Sequence, residues 1–460
     1  MSRRDGLTSD RDGLMFDVVD KTLELALASG AKGAEVYAER STSWHIKVYK
    51  QEVEELVAAR RRGLGLRVFQ DGAVGYAYTS DIGAEARAEV VARALAHAKV
   101  SDADEFAVLP EKAAGYPALD LFGAGLAAAD DAAKIELALA VEQAALDADK
   151  RVKLVEDTVY ADGDIEVFLA NSKGVRGSFR ANNYYAFAGV LAEQDGQVET
   201  GRAYAIGRDL GKFDAQACGR VAAERACALL GARKVPSMKA TVVLDPHAAA
   251  SVISVISAAL TADAVQRGRS LFAPLAGKQV AGELFSLSDD GLHRDGLGSA
   301  PFDGEGVPCQ RTPLIANGVL LGFLYDTYTA ARGGRRSTGN GLRASYTAGP
   351  AVRPTNLIVN GPVTPTADLI AGIERGVLVT SLIGVHSGAN PISGAFSVGI
   401  SGILIESGRL TTPVHEVTLA GDIISMLTNI VALGDDASWS PGGNILTPSL
   451  VIEGMSISGE

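Results

Sequence analysis

The chain has 460 residues, 47% hydrophobic and 21% charged, with a formal net charge of −12. That length favours two domains, and that composition builds packed cores rather than a disordered chain. The acidic surplus argues against a nucleic-acid groove, which needs clustered Lys and Arg.

The elements are read here in chain order. Residues 16–29 space Val18, Leu23, Leu25 and Leu27 as an amphipathic helix that ends before Gly30. Strand signals follow at 34–39, 44–49 and 52–58. Segments 63–69 and 73–78 flank Asp71-Gly72, a hairpin turn pair. Helices are expected over 85–98 and over the Ala-rich stretch 131–148. Residues 152–206 read as an antiparallel meander turning at Asp162-Gly163 and Asp195-Gly196. A helix over 215–230 closes the first half. The pattern breaks at 234–239, so the expected domains are 1–235 and 236–460.

The second half opens with a strand at 240–244 and a helix at 246–262, with Pro246 in its first turn. Short apolar runs then alternate with Gly, Pro and Asn turns: 314–315, 319–324, 356–359, 377–382, 401–405 and 414–419. One further helix is expected at 421–433. The class is α+β, with helices on an antiparallel sheet first and a β-rich domain with few helices second.

The three cysteines, Cys218, Cys227 and Cys309, form no C-x-x-C pair. This argues against a disulfide framework and a thiolate zinc site. Cys218 and Cys227 read as core residues of an Ala-rich helix. The first 14 residues hold no apolar signal segment, and stretch 248–262 is shorter than the roughly 20 residues of a membrane span. A soluble, cytoplasmic protein is expected. Arg60-Arg61-Arg62 reads as a solvated face, and 332–336 as a polar turn.

Residues 303–345 carry the densest pattern. An acidic Gly-rich loop (Asp303, Glu305, Gly306, Pro308) precedes an Asn317-Gly318 turn, then Tyr325-Asp326, then Ser337-Thr338-Gly339-Asn340-Gly341. HSGANPISGAFSVGISG follows at 386–402, and IESG at 405–408. This order resembles the TldD/TldE (PmbA) family of bacterial metallopeptidases and their partner subunits. The resemblance is close over about 239–459 and looser before it.

The resemblance implies what to look for. Catalytic members carry H-E-x-x-x-H on the helix after the opening strand, and a C-terminal cysteine as third zinc ligand. Here those helix positions fall on Ile253, Ser254 and Ala258, and no cysteine follows Cys309. Ser438-Trp439-Ser440-Pro441-Gly442-Gly443 stands where the cysteine loop would be. The chain therefore resembles the TldE/PmbA type, with no catalytic residue and no metal of its own. The implied partner is a TldD-like zinc subunit, and the implied substrate an unfolded or leader peptide; the isolated chain could form a homodimer. Asp303, Gly306, Ser337, Thr338, Gly339, Asn340 and His386 are the expected peptide- or partner-facing residues. Gly304, Gly306, Gly339 and Gly341 would let an extended peptide approach closely.

Two alternatives remain. One is an autonomous homodimeric hydrolase using Ser254, His386 or Asp303. The other is a peptide-binding scaffold without a peptidase partner. Ser251, Ser254, Ser257 and Thr261 more readily form a helix-packing stripe than a nucleophile array. His247 reads as a cap or packing residue, and His415-Glu416 lacks the second histidine of a zincin. His293, Asp295, Asp303 and Glu305 read as an ordinary loop rather than a cation site. Segment 273–279 lacks the first Gly and the hydroxyl residue of a P-loop.

Overall fold

A computed structural model describes residues 5–459, with side chains described from Leu14 onward. The reading of the first 14 residues as lacking an export segment thus falls partly outside the described residues. The first half runs α1 (Asp5–Ala28), β1 (Gly33–Tyr49), β2 (Glu52–Gln70), β3 (Ala73–Thr79), α2 (Ala84–Val100) and α3 (Ala124–Ala128). It continues with α4 (Asp131–Ala148), β4 (Val152–Asn171), β5 (Arg176–Gln194), β6 (Gln197–Gly207) and α5 (Ala215–Ala228). The six strands form one antiparallel sheet in the order β3-β2-β1-β4-β5-β6.

The expected strands at 34–39 and 44–49 are one long strand, β1, and those at 52–58 and 63–69 merge into β2. Polar residues between the apolar runs do not end a strand when they find partners across the sheet, as Arg40 does with Glu166. Asp71 and Gly72 have φ of 51° and 84°, and Asp195 and Gly196 of 52° and 82°, so both pairs turn as expected.

Asp162-Gly163 is not a turn. It lies inside β4, with Asp162 paired to Trp44 and Gly163 to Ser43. Asp162 accepts from Lys134 at 2.9 Å and from the Tyr160 hydroxyl at 2.9 Å, so its charge is buried but matched. A Cβ on Gly163 would come within 2.7 Å of the Thr42 carbonyl oxygen, which is why glycine stands there. The real turn follows Asn171, whose side-chain oxygen accepts from the backbone of Lys173 and Val175 at 2.9 and 3.0 Å.

Even-numbered positions of β1 point at the helices. Val36 and Ala38 pack with α1 and α2, and Ile46 and Val48 with α4. Val141 of α4 and Cys218 and Cys227 of α5 lie in a third apolar cluster under β5, so the two cysteines are core residues. The opposite face of the sheet presents Tyr37, Val167 and Leu169 to Phe302 of the second half.

The second half begins with β7 (Met238–Leu244), α6 (Pro246–Ala259) and α7 (Ala262–Gln266). The Asp245 carboxylate caps α6 by accepting from Ala248 N at 2.7 Å. The expected helix 246–262 divides because Thr261 caps a new helix, accepting from Ala264 N at 3.3 Å. Strand β7 pairs in parallel with Arg375–Ile383, which runs on antiparallel through Ala395–Glu406, Arg409–Asp422 and Leu450–Ser458. Leu450–Ser458 returns to pair with β7, so these strands close on themselves. A second sheet stacks six short strands, with Ser286–Asp290 between Arg311–Ala316 and Leu357–Asn360.

Two further expectations change. The 319–324 strand is only Val319–Leu320. The 421–433 helix is Ile423–Thr428, followed by strand Ile430–Gly434 paired with Leu450–Ser458. Among the described residues no helix is long and apolar enough to cross a membrane.

Candidate functional site

Helix α6 has two faces of different character. Ile253 and Ile256 are fully buried in the core of the second half. Ser254 and Ala258, four positions apart, are exposed on the other side. Ile253 and Ala258 are five positions apart, about 140° around a helix. The three positions aligned with the zinc motif therefore do not share a face.

The outer face floors a cleft of about 510 Å³. His247, Ser251 and Ser254 line it from α6, His386 from the 384–391 segment, and Ser440 and Asn444 from the C-terminal loop. A second depression of about 540 Å³ shares Pro391 and Asn444 with it and continues past Ala258, Thr261, Asp263 and Arg353. Together they make a groove along α6. The serine stripe is thus not a helix-packing face, as expected from its spacing; it faces this groove.

The groove's hydroxyls are turned back on the chain. Ser251 donates to the His247 carbonyl at 3.1 Å, Ser257 to that of Ser254 at 2.7 Å, and Thr261 to that of Ala258 at 2.9 Å. Ser440 Oγ accepts from Ile445 N at 3.2 Å. Burial, with Arg225 and Arg202 nearby, lowers the His247 pKa and keeps its ring neutral. Its Nδ1 lies 3.5 Å from the Tyr204 hydroxyl. Burial pushes Asp245, beneath the helix start, up to about 6. Among the described residues no hydrogen bond joins an imidazole to a serine hydroxyl, the contact that activates a serine nucleophile.

Zinc needs about three protein ligands from Cys, His, Asp or Glu. The cleft offers His247 and His386. No group of three or more such side chains that could hold a metal occurs among the described residues. The donor set does not fit zinc.

The dense motif of 303–341 lies elsewhere, and it is buried. Asp303, Glu305 and Asn340 are 2%, 1% and 1% exposed. Asp303 accepts from Glu305 N at 2.9 Å, Val307 N at 3.0 Å and Gly341 N at 2.8 Å. Glu305 accepts from Thr327 N at 2.9 Å and from Arg67 at 3.0 Å. Arg67 also reaches Glu35 at 2.9 Å, and Glu35 meets Arg343. Asn340 donates to Asp289 at 2.7 Å and to the Arg353 carbonyl at 3.0 Å, and accepts from Thr338 at 2.6 Å. Ser337 and Thr338, both half-buried, hydrogen-bond the Tyr325 carbonyl at 3.2 and 3.0 Å. Burial and the neighbouring Glu305 push Asp303 upward, and burial pushes Asp289 up to about 6.

Asp303, Gly306, Gly339 and Asn340 are therefore not an outward surface, and Ser337 and Thr338 beside them are only partly exposed. They belong to a buried polar lattice that ties the second half to the sheet of the first. Its glycines admit the chain itself: a Cβ on Gly306 would meet Val175 at 2.3 Å, and one on Gly339 the Pro308 carbonyl at 2.5 Å. Of the expected facing residues only His386 is exposed and lines the groove. Asp303 is not among the groove's lining residues, so the trio of Ser254, His386 and Asp303 is not assembled. His415 pairs with Glu199 at 3.1 Å, and His293 packs on Trp439 with ring centres 5.2 Å apart.

Sequence reasoning missed the groove role of His247 and of Ser251. Its available signal was spacing: His247, Ser251, Ser254 and Ala258 recur at four, three and four residues, one helical face opposite the buried isoleucines.

Three profiles of one family match the chain. They are described as PmbA/TldA metallopeptidase domain 1 over 34–98, central domain over 125–230 and C-terminal domain over 237–459. The chain is 31% identical to the Haemophilus influenzae metalloprotease PmbA homolog, covering 96% of this chain and 95% of that protein. The chain belongs to the TldD/PmbA metallopeptidase family. Metalloprotease PmbA of Escherichia coli O157:H7 is 30% identical over 97% of this chain and 96% of its own length. Among solved structures, a Bacteroides thetaiotaomicron protein superposes with a TM-score of 0.87 at 28% identity, over 96% of this chain and 98% of that one. TldE from Thermococcus kodakarensis shares the fold, with a TM-score of 0.88 at 23% identity over 97% of this chain and all of that one. TldD/PmbA membership fits the groove's place: the helix after β7 faces the C-terminal loop, the two segments the family resemblance paired.

Proposed function

We propose that this chain is a non-catalytic, TldE/PmbA-type subunit of a cytoplasmic heterodimeric zinc metallopeptidase that trims unfolded or leader peptides. The carrying observation is the outer face of α6. Where a catalytic subunit needs ligands and a base, this face presents Ser251 and Ser254 in the cleft that Ser440 also lines, and Ala258 in the depression that continues it. The TldD-like partner would supply zinc and hydrolysis. This chain would supply the wall of a peptide groove, with small side chains that exclude few sequences. Curated relatives include proteins named as TldD homologs, 29% identical over 67% of this chain in the case of Haemophilus influenzae, consistent with paired subunits of common descent.

The test is reconstitution. The chain alone should hold no stoichiometric zinc and leave an unfolded casein substrate intact. Mixed with a TldD-like chain it should give cleavage that a chelator abolishes. Cleavage by this chain alone would overturn the proposal in favour of an autonomous hydrolase. No gain in the mixture would favour a peptide-binding scaffold.

A further inference from the structure

The groove along α6 changes character along its length. The cleft beside His247, Ser254 and His386 is lined by no Asp, Glu, Lys or Arg. The depression that continues it is lined by three charged residues, Asp263, Arg269 and Arg353. From α6 and α7 it otherwise takes small side chains, among them Ser257, Ala258 and Ala264, so long side chains from the helices do not fill it.

The three charges are not equivalent. Asp263 Oδ1 accepts from Arg267 Nε at 2.7 Å, so its charge is already matched. Arg269 and Arg353 are exposed, and neither side chain makes an ion pair or hydrogen bond with another described residue. The depression therefore carries two unmatched positive charges, in a chain whose formal net charge is −12.

Both arginines stand on fixed backbone. Arg269 N donates to the Ala264 carbonyl at 2.7 Å, closing the turn after α7, where Gly268 has φ of 66°. The next residue, Ser270, is buried and donates from Oγ to the Ala259 carbonyl at 2.6 Å. Arg353 N donates to the Asn340 carbonyl at 3.0 Å, and the Arg353 carbonyl accepts from Asn340 Nδ2 at 3.0 Å. Asn340 belongs to the buried lattice, so that lattice fixes the backbone that carries Arg353. A guanidinium on an anchored backbone has only its own rotamers to order on binding. Its planar fork matches a carboxylate through two parallel N–H···O bonds. The depression shares Pro391 and Asn444 with the neutral cleft, so a chain extended along α6 reaches both.

We infer that Arg269 and Arg353 form a carboxylate subsite of the groove, which takes an Asp or Glu side chain or the C-terminal carboxylate of an extended peptide. The inference rests on the reading of the groove as a peptide wall. It adds a preference to that reading: peptides that place an acidic group beyond a neutral stretch.

Fluorescence anisotropy with the purified full chain tests it. Three unstructured Gly-Ser-Ala peptides with an N-terminal dye serve as probes. One carries adjacent glutamates and an amidated C-terminus. One carries glutamines in their place and a free C-terminus. The third carries glutamines and an amidated C-terminus, and so has no carboxylate. The first or the second should bind about fivefold more tightly than the third, the scale of a charge-assisted contact open to solvent. Which of the two does so separates the side-chain source from the terminal one. The R269Q/R353Q variant, with its fold checked by thermal melts, should bring all three peptides to a common affinity. S254W, which fills the neutral cleft, should weaken all three alike. Equal affinity of the wild type for the three peptides, or a carboxylate preference that survives R269Q/R353Q, would overturn the subsite; weakening by S254W would then leave the peptide groove standing. No binding of any peptide, or binding that S254W leaves untouched, would overturn groove and subsite together.

Discussion

Asp303 shows how a residue's surroundings reverse its expected role. Gly and acidic side chains in a loop suggest a surface, yet this carboxylate is buried and accepts three backbone N–H groups. Asp303→Ala strands those donors, each at about 1–3 kcal/mol, so a loss of roughly 3 kcal/mol or more is expected in urea unfolding. Stability, rather than peptide handling, should carry the damage. Asp289 gives a pH signature. Burial raises it from 3.8 to about 6 in the fold, so the folded state binds its proton more tightly than the unfolded chain. The stabilisation is complete below its unfolded value and lost as pH rises through about 6. Asp289→Asn should therefore shrink the fall in melting temperature between pH 5 and 7; an unchanged fall would assign the slope to other groups. On α6, Ile253→His should cost about 2–4 kcal/mol, because it places an imidazole in a filled core, whereas Ala258→Ser on the exposed side should stay within about 0.5 kcal/mol.

At the scale of elements, β1 and β2 depend on how their ends are fixed. Glu142, 1% exposed, satisfies the two N–H groups of the left-handed Lys50-Gln51 turn, whose φ values are 54° and 61°. Glu142→Ala should loosen this hairpin, with faster amide exchange confined to about residues 48–58; exchange spreading over α1 and α2 would mean the residue supports the whole sheet. Much of this layer is legible in the sequence. Asp71-Gly72 and Asp195-Gly196 announce their turns because type I′ geometry requires a left-handed pair. Asp162-Gly163 has the same letters and fails, since Lys134 arrives from a helix and Thr42 from a neighbouring strand, and neither is local. The same holds for the site. The helix after β7 was identifiable, but which of its residues face the groove depends on the core that Ile253 and Ile256 fill. The motif of 303–341 was found and its burial was not, because its partners Glu35 and Arg67 lie more than two hundred residues away in sequence.

Across the whole molecule, the two halves are joined by charge as well as by Phe302. Arg67 bridges Glu35 of the first half and Glu305 of the second, with Arg343 beside them. Breaking a buried network by removing one partner costs about 3–5 kcal/mol, because the remaining charges stay desolvated. Arg67→Ala should lower stability by about that amount and split the unfolding transition, seen as non-coincident melts at tryptophan and far-ultraviolet signals. A single coincident transition would show that apolar packing alone couples the halves. That coupling matters for the groove, which must be a rigid wall if it is to hold peptides for a partner's zinc. The most direct measurement is metal content and unfolded-casein cleavage by the chain alone and with a TldD-like chain. The account predicts no stoichiometric zinc and no cleavage alone, and chelator-sensitive cleavage in the mixture. About one zinc per chain, with cleavage by this chain alone, would contradict it.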